Sequence, residues 1–142
     1  MNPVIAWKEK NIIRLDDHQI VLDGFTNWCR RECPELRIRN YNDSDEVFSL
    51  IISSLFKDEK IDLFITDYAH PGLNGYEMCK AIRAVERAIN RQQMPILLLT
   101  LYDKDTVPIR KGLADGTFTG YCSLGEDIEL LSKIITDLVS HD

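Results

Sequence analysis

Two short, almost wholly apolar runs constrain the fold of this chain more than any other feature. They are Ile61–Asp67, which ends in an acid, and Met94–Leu101, the most apolar run in the sequence. Runs of this kind are typical of strands at the centre of a parallel sheet, where helices cover both faces. The two runs therefore predict central strands of an α/β sheet.

Segments with strand and helix patterns alternate along the whole chain. The predicted strands are Asn11–Asp16, Leu36–Tyr41, Ile61–Asp67, Met94–Leu101 and Thr117–Ser123. The predicted helices are Asp17–Arg31, Asp45–Lys57, Tyr76 to Asn90, Asp105–Ala114 and a last one that begins at Gly125–Asp127. Such alternation needs right-handed crossovers and gives a parallel sheet with helices on both sides. We therefore predict an α/β fold with a five-stranded, doubly wound (βα)5 parallel sheet, as one domain over residues 1–142 with its core at about 11–139.

The third predicted helix has a clear apolar stripe. Its members at helical spacing are Cys79, Ile82, Val85, Ala88 and Ile89. A stripe of this width is typical of a helix that packs one side against a sheet. We therefore expect this side of the helix to be buried.

Charge and hydropathy exclude several classes of function. The net charge of −6 argues against direct binding of nucleic-acid phosphates, which depends on clustered Lys and Arg. No apolar run approaches the roughly 18 to 20 residues that a membrane-spanning helix needs. Met1 to Lys10 lacks the apolar core of a secretory signal. The expected location is therefore cytoplasmic, without membrane contact.

The four cysteines do not form a metal-binding pattern. Cys29 and Cys33 are one helical turn apart, but neither Cys79 nor Cys122 makes a second pair, and no histidine completes a zinc set. We interpret all four as reduced, partly buried residues.

Acidic and hydroxyl side chains stand where the predicted strands end. The strand-end residues are Asp16 and Asp17, Asp67, Thr100, and Ser123 with Leu124. In an open parallel sheet, ligands bind at the carboxyl ends of the strands, near the point where strand order reverses. Two unit charges about 4 Å apart repel by roughly 4 kcal/mol at an effective dielectric near 20, so a cluster of carboxylates favours a bound cation. Hard oxygen ligands point to Mg²⁺.

A magnesium ion beside a carboxylate can support phosphoryl transfer to that carboxylate. Thr100 would then offer its hydroxyl to a phosphoryl oxygen. The structural alternative is that Asp16 or Asp17 only caps the first helix. Because the acids and Thr100 end three different strands, we favour the functional interpretation of the set.

The sequence resembles the receiver domain of two-component response regulators from about Ile12 to Val139. The motifs that carry the resemblance are L-D-D-H at 15–18, I-T-D-Y-A-H-P-G-L-N-G-Y-E at 65–77, I-L-L-L-T at 96–100 and G-Y at 120–121. The second is the most specific, because its acid, Pro-Gly and Asn-Gly fall at the spacing of the family. The resemblance implies the flavodoxin-like receiver fold and a signalling role, not metabolic catalysis.

The resemblance also implies a metal site with Mg²⁺ as cofactor. Asp67 is then the phosphoacceptor and a metal ligand. Asp17 binds Mg²⁺ directly, Asp16 assists through water, and the backbone carbonyl of Ala69 is a further ligand.

The switch and the partners follow from the same resemblance. Thr100 moves to hold the phosphoryl group, and Tyr121 is the aromatic residue that changes rotamer with it. The phosphoryl donor is a sensor histidine kinase or a phosphotransfer protein. A homodimer through the fourth helix, fifth strand and fifth helix is also implied.

One departure from the family stands at the end of the fifth strand. The family has a lysine three residues after the aromatic, and this chain has Leu124. Leu101, after Thr100, is also larger than the family prefers and could narrow access to Asp67. These two residues motivate the alternative of a degenerate receiver that binds proteins without phosphorylation. A small Mg²⁺-dependent phosphatase or other hydrolase on a similar sheet has less support, because no second acid stands at Ala69 and no phosphate loop is present. Flavin binding on such a sheet is a further alternative, which a colourless purified protein would exclude.

Overall fold

The computed structural model describes residues 9–16, 27–28, 30–31, 38–68, 74–123 and 128–140, and these residues contain one parallel sheet. Its strands are β1 Ile12–Leu15, β2 Ile38–Tyr41, β3 Leu63–Thr66, β4 Ile96–Thr100 and β5 Gly120–Ser123. Their spatial order is β2-β1-β3-β4-β5, with all pairs parallel. The predicted five-stranded parallel sheet is confirmed, and the two apolar runs contain β3 and β4 in its interior.

Helices follow the strands as the alternation predicts. They are α1, described at residues 27–28 and 30–31, then α2 Ser44–Phe56, α3 Gly75–Ala88, α4 Val107–Ala114 and α5 Ile128–Val139. Asp43 begins α2 as its N-cap, accepting hydrogen bonds from the backbone N–H groups of Asp45 and Glu46. Pro108 lies in the first turn of α4, where its missing N–H costs no helical hydrogen bond. None of the helices in the described part of the chain is long and apolar enough to cross a membrane.

Each face of the sheet has its own core. The face under α2, α3 and α4 buries a cluster that includes Ile13, Leu15, Val47, Ile51, Phe64, Met78, Ile82, Leu98, Ile109 and Phe118. The face under α5 and Trp28 of α1 buries Ile12, Leu63, Ile65, Leu97, Leu99, Cys122, Leu131, Ile135 and Val139. Side chains of a strand alternate between faces, so β1 contributes to both cores. The sheet is thus the middle layer of the fold.

β4 and β5 are shorter than their sequence patterns predict. Leu101 lies beyond β4 and is 70% exposed, so it is not packed over the strand end. β5 begins only at Gly120, because Phe118 turns back towards α4: its backbone N–H donates to the carbonyl of Gly112, and its ring is buried in the core. The alternation of residues 117–119 therefore belongs to a turn and not to the strand.

The buried stripe of α3 differs from the predicted one. Cys79 and Ile82 are buried as expected, but Ala88 is exposed, and Glu86 takes the buried position near the end of the helix. Glu86 is buried because its carboxylate pairs with the guanidinium of Arg83, with 2.9 Å between Glu86 Oε1 and Arg83 Nη1. Only Ala88 was therefore predicted wrongly, since Val85 and Ile89 are partly buried against the core.

The two cysteines that the structure describes are buried away from solvent. Cys79 and Cys122 are free thiols, and both are completely buried and not merely partly so. Burial raises the pKa of the Cys79 thiol to about 12, against the opposing charge of Arg83. Cys79 therefore stays protonated at neutral pH and is unsuited to metal binding. Cys29 and Cys33 lie outside the described residues.

Candidate functional site

Asp16 and Asp67 come together at the carboxyl edge of the sheet. Leu15 of β1 pairs with Thr66 of β3, so the residues that follow them stand at adjacent strand ends. Asp16 is 2% exposed and Asp67 is 3% exposed. Strand order reverses at β1, because the chain continues from β1 to β2 on one side and reaches β3 on the other. The two carboxylates therefore occupy the place where open α/β sheets bind ligands.

Backbone hydrogen bonds hold Asp67 and the residue that follows it. The backbone N–H of Tyr68 donates to Asp67 Oδ1 at 2.6 Å. The Thr66 hydroxyl donates to the carbonyl of Asp67 at 3.0 Å. The backbone N–H of Gly75, the first residue of α3, donates to the Tyr68 carbonyl at 2.6 Å. The start of α3 thus positions the proposed phosphoacceptor.

Thr100 and Tyr121 are connected through Tyr102. Thr100 ends β4 fully buried, and its hydroxyl oxygen accepts a hydrogen bond from the Tyr102 backbone N–H at 3.3 Å. The Tyr121 hydroxyl donates to the Tyr102 carbonyl at 2.6 Å. The Tyr102 ring also meets the Tyr68 ring edge-on, with 5.4 Å between their centroids. A continuous set of contacts therefore joins the residue after Asp67 to the aromatic residue of β5.

Tyr68 and Tyr102 were missed by sequence reasoning. Each lies close to a strand end that the sequence marks: Tyr68 directly follows Asp67, and Tyr102 is two residues after Thr100. Position next to these strand ends is the signal that could have identified them. Their ring contact depends on β3 and β4 being neighbours, which follows only from the strand order.

Arg14 is a third residue that sequence reasoning missed. Its side chain lies inside the fold with 1% exposure, although it is in the middle of β1. Its Nη2 atom is 3.5 Å from Asp16 Oδ2, and both side chains are buried. The candidate site therefore contains a permanent positive charge beneath its acidic edge.

The described oxygen donors fit a hard divalent cation. Asp16 and Asp67 supply two buried carboxylates at neighbouring strand ends, the ligand type that Mg²⁺ prefers. Among the residues that the structure describes, no group of three or more His, Cys, Asp or Glu side chains could hold a metal ion. The other predicted ligands, Asp17 and the carbonyl of Ala69, lie outside the described residues, as does Leu124.

A cavity of about 400 Å³ lies away from this edge. Its lining includes Ile61 and Asp62, which precede β3, and Met94 and Pro95, which precede β4. It therefore opens at the amino-terminal edge of the sheet, opposite the carboxylates. The candidate site is identified by its chemistry and not by this cavity.

Known proteins resemble this chain in sequence and fold. The model of the response regulator receiver domain family matches residues 12–119. Over 111 residues, the chain is 26% identical to the cyclic di-GMP phosphodiesterase response regulator RpfG of Xanthomonas campestris pv. campestris. The match covers 75% of this chain but 27% of RpfG, so the chain spans about a quarter of the length of that curated relative.

Solved structures share the fold. The receiver domain of the histidine kinase CKI1 from Arabidopsis thaliana, complexed with Mg²⁺ and BeF3⁻, is 18% identical with a TM-score of 0.77, covering 97% of this chain and 95% of that one. The receiver domain of Ssk1 from Saccharomyces cerevisiae, in complex with the histidine phosphotransfer protein Ypd1, is 20% identical with a TM-score of 0.76, covering 94% and 91%. With the family match over most of its length, the chain belongs to the response regulator receiver domain family.

Proposed function

We propose that this receiver domain accepts a phosphoryl group on Asp67, with Mg²⁺ bound by Asp16, Asp17, Asp67 and the carbonyl of Ala69. Receiver domains are signalling modules of two-component and phosphorelay systems and not metabolic enzymes. The observation that carries the proposal is the pair of buried carboxylates, Asp16 and Asp67, at adjacent strand ends where strand order reverses. The Mg²⁺ in the CKI1 receiver structure supports the choice of metal.

The residues of the chain have separate tasks in this reaction. An oxygen of Asp67 attacks phosphorus while the bond from phosphorus to the donor breaks, and the hydrogen bond from the Tyr68 N–H keeps the carboxylate oriented. The metal ion, when bound, neutralises charge on the transferring group. The Thr100 hydroxyl then donates a hydrogen bond to a phosphoryl oxygen, and its oxygen can still accept the hydrogen bond from the Tyr102 N–H.

The proposed donor is the phosphohistidine of a sensor histidine kinase or a phosphotransfer protein. The structure of the Ssk1 receiver with Ypd1 supports this class of partner, because the two folds are similar over 94% of this chain. Such a partner must approach Asp67 at the carboxyl edge of the sheet. Tyr102, which follows β4 at this edge, is 47% exposed and can be contacted there. Phosphotransfer from a purified histidine phosphotransfer protein, lost in Asp67→Ala, would identify this class of donor.

Incubation with acetyl phosphate and Mg²⁺ tests the proposed acceptor. We expect the intact mass of the wild type to increase by one phosphoryl group and that of Asp67→Ala to stay unchanged, because alanine has no attacking oxygen. Asp137→Ala is the matched control, since this aspartate is exposed on α5, and it should be modified like the wild type. Equal modification of Asp67→Ala would refute the assignment. No modification of any variant, together with partner binding indifferent to Asp67 and Mg²⁺, would favour the degenerate receiver that Leu124 suggests.

Tyr121→Phe separates acceptance of the phosphoryl group from its output. Phenylalanine removes the hydrogen bond to the Tyr102 carbonyl, worth about 0.5–1.5 kcal/mol, but leaves Asp67 and Thr100 intact. We expect modification by acetyl phosphate to stay within about threefold of the wild type. The proposed homodimer through α4, β5 and α5, a surface on which Val107 is 57% exposed, should weaken by about two- to tenfold. Sedimentation velocity of the phosphorylated proteins measures the dimer affinity. An unchanged dimer affinity in Tyr121→Phe would argue that Tyr121 does not connect phosphorylation to dimerisation.

A further inference from the structure

We propose that Arg14 is an internal counter-ion of the acidic edge and competes with a divalent cation for Asp16. This inference rests on the metal site proposed above. Arg14 lies in β1, directly before the L-D-D-H motif and outside every family motif. Its effect is to set how tightly the site binds Mg²⁺.

The position of Arg14 in β1 leaves its side chain no route to solvent. Alternation along the strand directs it to the same face as Ile12, which is the face covered by α5. β1 is an interior strand, and its neighbours place Asn40 on one side of Arg14 and Ile65 on the other. The residue is accordingly 1% exposed.

A buried guanidinium requires an anion, because arginine does not give up its proton inside proteins. The Asp16 carboxylate is two residues further along β1, on the same face, and its Oδ2 atom is 3.5 Å from Arg14 Nη2. Asp16 is itself 2% exposed, so water screens the pair weakly. The Asp16 carboxylate therefore lies beside a permanent cation inside the fold.

The same carboxylate is a proposed ligand of the metal ion. A divalent cation that approaches Asp16 also approaches the guanidinium, and like charges repel in this weakly screened interior. Arg14 also reduces the repulsion between Asp16 and the neighbouring Asp67 when no metal is bound. Arg14 thus stabilises the metal-free edge and lowers the affinity for the cation.

Titration calorimetry with Mg²⁺ on the full chain tests the inference. Arg14→Met replaces the unbranched stem of the arginine without its charge, and we expect its Kd for Mg²⁺ to fall at least about tenfold. Arg14→Lys keeps the positive charge and should stay within about threefold of the wild type. Arg39→Met is the matched control, because it removes an exposed arginine from β2, the strand next to β1. The Kd of this variant for Mg²⁺ should equal that of the wild type.

Thermal unfolding supplies a second readout. Mg²⁺ should raise the Tm of Arg14→Met more than that of the wild type, because the stabilisation by a ligand grows as its Kd falls. If Arg14→Met does not fold, Arg14→Gln, which is neutral but polar, takes its place with the same expected change in Kd. An unchanged or higher Kd in the neutral variant would overturn the role of Arg14 while leaving the metal site in place. Absence of Mg²⁺ binding in every variant, including the wild type, would refute the metal site and this inference together.

Discussion

Glu86→Ala is expected to lower the free energy of unfolding by about 3–5 kcal/mol, because it leaves a buried arginine without its anion. Arg83 is 3% exposed and Glu86 is fully buried. Arg83 Nη1 is 2.9 Å from Glu86 Oε1, and Glu86 Oε2 accepts the backbone N–H of Met94 at 2.7 Å. The substitution therefore leaves both the guanidinium and the Met94 N–H without this carboxylate.

The network that contains this pair connects three parts of the fold. Arg83 also donates to the carbonyls of Met94 and Thr117, at 2.8 and 3.3 Å, and to the Thr119 hydroxyl at 3.3 Å. Thr119 in turn accepts the backbone N–H of Ile96 at 2.9 Å. The end of α3, the start of β4 and the segment before β5 therefore depend on one buried ion pair.

Guanidinium chloride unfolding measures the effect. Glu77→Ala is the matched control, since this exposed glutamate in the first turn of α3 should contribute less than about 1 kcal/mol. The double variant Arg83→Met/Glu86→Leu should be more stable than Glu86→Ala, because apolar side chains of similar volume can replace a buried ion pair. A loss below about 1 kcal/mol in Glu86→Ala, or a double variant less stable than the single one, would contradict this account.

The features that the sequence predicts well are those that depend on a local pattern and on topology. The two apolar runs predict β3 and β4 because a strand that is buried on both faces consists almost entirely of apolar residues. Asp16 and Asp67 could be expected at one edge because parallel strands point their carboxyl ends the same way. The Asn-Gly of the longest motif now has a physical reason: Asn74 accepts the backbone N–H of Glu77 as the N-cap of α3, and Gly75 lies against the strand end.

The features that the sequence does not predict depend on which side chains the packing of strands and helices buries. Glu86 is indistinguishable from an exposed helical glutamate until Met94 and Arg83 are brought to it. Arg14 interrupts an apolar strand, and its burial beside Asp16 depends on the helix that covers this face of the sheet. The contact between Tyr68 and Tyr102 requires the neighbouring positions of β3 and β4.

Gly75→Ala should damage the site itself, because there is no room for a methyl group at this position. A Cβ atom there would overlap the carbonyl oxygen of Asp67 and would lie 2.9 Å from the Cα atom of Tyr68. Both are backbone atoms, so no side-chain rotation relieves the overlap. Alanine is favoured over glycine within a helix by about 1 kcal/mol, but forcing backbone apart costs about 1–3 kcal/mol or more. The steric term therefore dominates, and the backbone that carries Asp67 must move.

A displacement of about 1 Å in a reacting group can reduce a rate by about 100-fold. We therefore expect Gly75→Ala to be modified by acetyl phosphate and Mg²⁺ about 100-fold more slowly than the wild type, and to be about 1–3 kcal/mol less stable. Gly120→Ala is the matched control, because its Cβ would lie 3.5 Å from Leu138 Cδ1, an ordinary contact distance. Its modification rate should equal that of the wild type. A Gly75→Ala protein that is modified at the wild-type rate would mean that Asp67 tolerates movement of its backbone. The close approach of α3 to the strand end would then contribute to packing but not to phosphoryl transfer.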